Sequence, residues 1–143
     1  MSTVANLEVK QLQDHIAASG LMGAFTDILG NAQPASKFQA YELNLTDTPP
    51  IDRVIMIRET GAINGANRYL HKERPMLVLV VSRANVNDSV IARGLASDIE
   101  QYLTTNFSSG CIFNINTSGV TGPFPLPDGR RAYEINLTVM FNI

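Results

Sequence analysis

The chain carries little with which to do chemistry or to be stapled. Its single cysteine, Cys111, allows no intramolecular disulfide and no thiolate zinc cluster. Tryptophan is absent, histidine occurs twice, and charged residues make up only 17% of the 143 positions. No apolar run approaches the roughly 20 residues that span a bilayer. The opening MSTVANLEVKQLQDHI lacks a basic stretch followed by an apolar core, so it does not read as a signal peptide and the chain reads as intracellular. Eleven basic residues against 13 acidic give a formal charge of -2, without the basic excess that a general nucleic-acid surface needs.

Apolar residues are plentiful, at 45%, enough for one domain (1–143) with a core of its own. Residues 4 to 19 show a helical stripe of Leu7, Leu12 and Ile16, ended by Ser19 and Gly20. Residues 21 to 29 read as a short helical or turn segment closed by Gly30 and Asn31. Phe38 to Leu45 reads as a strand or extended arm, its Tyr41, Leu43 and Leu45 alternating with Glu42 and Asn44, before Pro49 and Pro50 break the pattern. RVIMIR (53–58) and MLVLVV (76–81) are strands, the second apolar enough to be central and covered on both faces. Between them, 59–74 is polar and reads as a long unstructured connection, of the kind that signals a working or partner-ordered loop.

Residues 85 to 105 form the strongest helix, with Val90, Ile91, Leu95, Ile99, Tyr102 and Leu103 on one stripe and Asn85 or Asn87 as cap. CIFNIN (111–116) is a strand, and the Gly/Pro-rich 119–129 a turn region. In the last strand Tyr133, Ile135, Leu137, Val139, Phe141 and Ile143 face one way. The order predicts an α+β fold, a mainly antiparallel sheet with helices packed on one face. The polar side of the last strand suits solvent or a subunit neighbour.

Converging reactive groups are few. His15 reads as helix surface, and His71, beside Lys72, Glu73 and Arg74, as a loop tip or subunit contact rather than a general base. Two distant histidines make no zinc site. Cys111 opens a strand and reads as a small buried hydrophobe. Asp52 and Glu59 flank a strand and would lie more than ~20 Å apart, too far for paired-carboxylate chemistry. Gly61 and Gly65 are not followed by the Gly-Lys-Ser/Thr of a phosphate loop. Asp128-Gly129-Arg130-Arg131 could grip an anion, but a charged turn pairing with a neighbour's carboxylate is the simpler account. No catalytic set, metal site or cofactor is expected, and the chain does not read as an enzyme.

DRVIMIRETG (52–61), RYLHKERPMLVLVVSR (68–83), VIARGLASDIEQYL (90–103) and GPFPLPDGRRAYEINLTVMFNI (122–143) occur in that order. Their succession resembles the tail terminator family of long-tailed double-stranded DNA phages, also called minor tail or tail-completion proteins. The resemblance spans residues 50–143, takes in the first helix loosely and fits 21–51 poorly. It implies a homohexameric ring at the head-proximal end of the virion tail, assembled in the host cytoplasm. Such a ring caps the tail tube, ends polymerisation of the tube protein and joins the tail to the head connector or adaptor. DNA would pass through its lumen without sequence readout, and no membrane or catalytic residue is involved. Asn64, Arg68, His71, Lys72, Glu73 and Arg74 match the mobile loop that touches the tube or the next subunit. Arg130 and Arg131 match a turn near a subunit boundary or the lumen. The alternatives are a head-completion or connector ring protein of the same neck region, and a small ligand-binding domain using His71 and Arg130.

Overall fold

A computed structural model describes residues 7–27, 29–40, 43, 52–60, 71–84 and 88–142. Over these, the chain forms α1 (Leu7–Ala17), β1 (Phe25–Thr26), β2 (Ala32–Gln33), β3 (Lys37–Ala40) and β4 (Val54–Glu59). It continues with β5 (His71–Val81), α2 (Asp88–Thr105), β6 (Ile112–Pro125) and β7 (Arg131–Asn142). The main sheet has the order β3-β4-β5-β7-β6, and β1 and β2 make a separate small hairpin. All neighbours in the main sheet are antiparallel except β3 and β4, which run parallel, so the α+β expectation holds with a mixed sheet.

Strict alternation divides the sheet into two faces. Ile55, Ile57, Met76, Val78, Val80 and the odd-numbered residues from Tyr133 to Phe141 meet Val9, Leu12 and Ile16 of α1 and Ala92, Leu95, Ala96, Ile99 and Leu103 of α2. Both helices therefore pack on one face. Ala92 and Ala96, four apart, let α2 lie close across β6, β7 and β5. The opposite face holds a smaller cluster of Val54, Met56, Leu77, Leu79, Val81 and Ala132. MLVLVV is thus buried on both sides, as its unbroken apolarity predicts. Farther along β7 this second face turns polar through Glu134, Asn136 and Thr138, of which Asn136 is exposed.

Three stretches depart from the sequence reading. The segment after Leu21, for which the sequence allows helix or turn, takes the turn and then adds a β-hairpin that the sequence does not announce, with no helix among its described residues. Asp27 Oδ1 accepts from the backbone N–H groups of Leu29 and Asn31, 2.9 Å each, and so closes the chain on itself where a helix would have continued. The expected loop 59–74 is strand at both ends, because β4 reaches Glu59 and β5 begins at His71. His71 to Pro75 pair with Asn142 to Thr138, so the ladder offered by β7 overrides a polar sequence. Asn64 and Arg68, the candidate caps Asn85 and Asn87, and Tyr41 and Leu45 lie outside the described residues.

The third departure is β6, which continues through the Gly/Pro-rich stretch to Pro125. It is an outermost strand, so proline's missing N–H costs no ladder bond on its open side. Register shifts at three places absorb the irregular residues. At Gly122, with φ near +137°, a Cβ would sit 2.8 Å from the carbonyl oxygen of Ala132, so only glycine fits.

Candidate assembly surface

β5 and β7 fix where the charged residues lie. His71 is opposite Asn142 and Val81 is opposite Ala132. The His71 to Arg74 group and the Arg130-Arg131 turn are therefore toward opposite ends of the β5–β7 ladder, about 27 to 37 Å apart along the strand. The two groups are thus separated within the chain.

Several of these side chains are already used within the chain. Arg74, on the helix side of β5, lies 3.6 Å from the Glu8 carboxylate of α1, both side chains nearly buried. Its guanidinium also donates to the backbone oxygen of Glu73 at 3.2 Å. Arg130 is buried and paired with Asp128 at 2.9 Å, while its backbone N–H and C=O bond to Asp128 and Leu126. Within the subunit it ties the β6–β7 turn together. Arg131, the first residue of β7, is exposed and Glu73 is half-buried.

A second buried charge group went unread in the sequence. Arg53 and Asp88 are fully buried and joined by three hydrogen bonds, 2.6 to 3.2 Å. Asp88, the first residue of α2, also accepts from the Arg83 backbone N–H at 2.7 Å and from Arg83 Nε at 2.9 Å. Both guanidiniums reach the Gln33 amide oxygen. Burial by itself raises the Asp88 carboxyl, but the bonds from Arg53 and Arg83 and the Arg53 charge outweigh it, leaving the carboxyl below its ordinary range. This network clamps β2, the start of β4, the turn after β5 and the head of α2. Arg83 and Asp88 are five residues apart, but the bonds from Arg53 to Asp88 and from both arginines to Gln33 join residues 20 to 50 apart, so no local pattern marks the whole network.

His15 is likewise buried rather than on the helix surface. Its Nε2 bonds the Asn106 carbonyl oxygen and its ring stacks obliquely on Tyr102, 5.4 Å between centroids. It joins α1 to the end of α2.

Among the described residues, and besides the isolated Leu29 and Val90, the exposed large apolar side chains are on β6 or just before it. This strand has β7 on one side and, among the described residues, no strand on the other. Phe107, Phe113 and Phe124 are each about half exposed, at 50%, 47% and 43%. Phe107 and Phe113, with Gly110 and Ile112, line an open recess of about 580 Å³. The register of β6 against β7 shifts beside it, between Ile112 and Asn114. Simple alternation would have put Cys111, Phe113 and Ile115 on one face. Ile112 and Ile115 turn inward instead, and Cys111 and Phe113 are exposed. The buried-thiol expectation for Cys111 is thereby corrected. The sequence signal was the pair of isoleucines three apart, a spacing no regular strand buries.

Among the described residues no group of three or more metal-binding side chains occurs, and no helix is long and apolar enough to cross a membrane. Residues 9–143 match the family model described as phage tail termination protein. No curated protein matches the sequence.

Proposed function

Since the chain belongs to the phage tail termination protein family, we propose that it forms a ring of identical subunits that caps the tail tube and stops its growth. Family membership itself gives a structural role in the virion tail. The ring, six subunits by the resemblance, would also present the surface to which the head connector or adaptor attaches. DNA would pass through the lumen without being read, and no catalytic step is involved. The observation that carries this reading is the family match over nearly the whole chain.

The surface is compatible with it. A closed ring needs two unlike patches that fit each other. The Phe107–Phe113 recess can supply buried contact area, the main source of affinity. Accessible charges such as Arg131 at one end of the sheet and Glu73 at the other would set register more than strength.

The test is mass photometry of the purified protein, alone and mixed with tail tubes, followed by electron microscopy. Six-subunit rings, or tubes capped at one end, are expected. A protein that stays monomeric and leaves tubes growing at both ends overturns the proposal. The double variant Phe107→Ser/Phe113→Ser should keep its circular dichroism spectrum and lose capping. Capping that survives the double change would remove the recess from the contact while leaving the ring intact.

A further inference from the structure

The segment carrying β1, β2 and β3 is attached to the molecule in an unusual way. Among its described residues from Leu21 to Ala40, only Gln33 is buried. Leu21, Met22, Phe25 and Phe38 touch the core while remaining partly exposed. The hydrophobic contribution that anchors every other main-sheet strand is therefore small here.

Polar bonds hold the segment instead, and they converge on one side chain. The Gln33 oxygen accepts from Arg53 and Arg83, and its nitrogen donates to Asp27 Oδ2 at 2.8 Å. One amide thus links the hairpin to two guanidiniums of the core. Phe25 lies over the Arg53 guanidinium, 5.5 Å from the ring centroid. The junction is also imperfectly satisfied: among the described residues, no hydrogen-bond partner reaches the buried Arg53 Nη1 or Ser36 Oγ. Such orphaned groups regain water when the segment lifts, which lowers the cost of opening.

What the segment covers is the opposite in character. β3 lies along β4 in parallel register, Lys37 to Ala40 beside Val54 to Ile57. Those four β4 residues are at most 3% exposed. An apolar strand with a bare edge is a template for pairing with another chain.

We propose that β1, β2 and β3 form a strap that opens as one unit, latched by Gln33, and that its opening bares the edge of β4. The strap is an edge guard that can lift without unfolding the rest of the sheet. This does not depend on the ring reading.

Hydrogen exchange followed by mass spectrometry on the full chain tests it. In the wild type, amides from 25 to 40 and the β4 amides that pair with β3 should exchange together, at least about tenfold faster than those of β5 and β7. Gln33→Met keeps the volume and removes the amide, and should speed the strap a further ten- to a hundredfold, about the loss of a hydrogen bond to a charged group. β5, β7 and α2 should keep their wild-type rates. Equal protection of strap and central strands in the wild type overturns the proposal, whatever the variant does. A variant that accelerates all elements equally overturns the latch.

Discussion

Replacing Asp88 with asparagine should destabilise this fold by about 3 to 5 kcal/mol, the cost of breaking a buried ion pair from one side. The figure follows from what is left behind. Arg53 and Asp88 have no exposed side-chain surface, and Arg83 is 28% exposed. An asparagine there would offer one uncharged oxygen where two charged ones accept from Arg53 and Arg83, and would point an N–H₂ at their donors. Arg83 can turn toward water; Arg53 cannot. Arg53→Met should cost less, about 1 to 3 kcal/mol, since Asp88 keeps its bonds from Arg83. The double change should cost less than the two single changes together, with a coupling of about 2 kcal/mol. Urea unfolding followed by circular dichroism at pH 7 measures this, the Asp88→Asn midpoint falling by about 1.5 to 2.5 M at an m-value near 2 kcal/mol/M. The pH dependence gives a second reading. The folded carboxyl lies below its unfolded value of about 3.9, so its contribution is complete above that pH and disappears as pH falls through the folded value. Wild-type and Asp88→Asn stabilities should converge in acid. A cost below about 1 kcal/mol, or strictly additive single changes, would refute the reasoning.

Three further outcomes are expected. His15→Ala should lower stability by about 2 to 3 kcal/mol, through loss of the Asn106 bond and the Tyr102 contact, seen as a drop in Tm by calorimetry. Cys111 should react with a thiol reagent in the folded protein, one equivalent per chain without denaturant, whereas a buried thiol would need urea. Gly122→Ala should cost about 1 to 3 kcal/mol in urea melts, because its Cβ must displace the Ala132 carbonyl and its φ is unfavourable for alanine.

What could be read from sequence was what repeats locally. The period of two in β7 and the stripe of α2 reflect burial of one face, and local spacing records that faithfully. MLVLVV announced its two-sided burial by having no polar side. The rest depends on partners far away in the chain. His15 is on the margin of the α1 stripe, and only the return of the chain at Asn106, 91 residues on, makes it a core residue. Arg53 looks like a polar cap on an apolar strand until Asp88 and Gln33 arrive. His71 to Arg74 are polar enough for a loop and become strand because β7 lies beside them. The surface residues followed the same rule: Phe113 is exposed only because a bulge interrupts alternation, and Arg130 is buried only because its turn folds over it.

The place of β7 in the sheet has a consequence for synthesis. β7 lies between β5 and β6, yet it is translated after both. As the chain leaves the ribosome, β6 and the second edge of β5 wait without partners, and the α1 and α2 stripes have only part of their sheet to cover. At about 5 to 20 residues per second, the last strand takes roughly a second to appear. A nascent chain lacking it leaves one edge of β5 and both edges of β6 without a neighbour among the described strands, and cannot display β6 in its final register. Until β7 is made, neither the register of β6 nor the facing set by its bulges is defined.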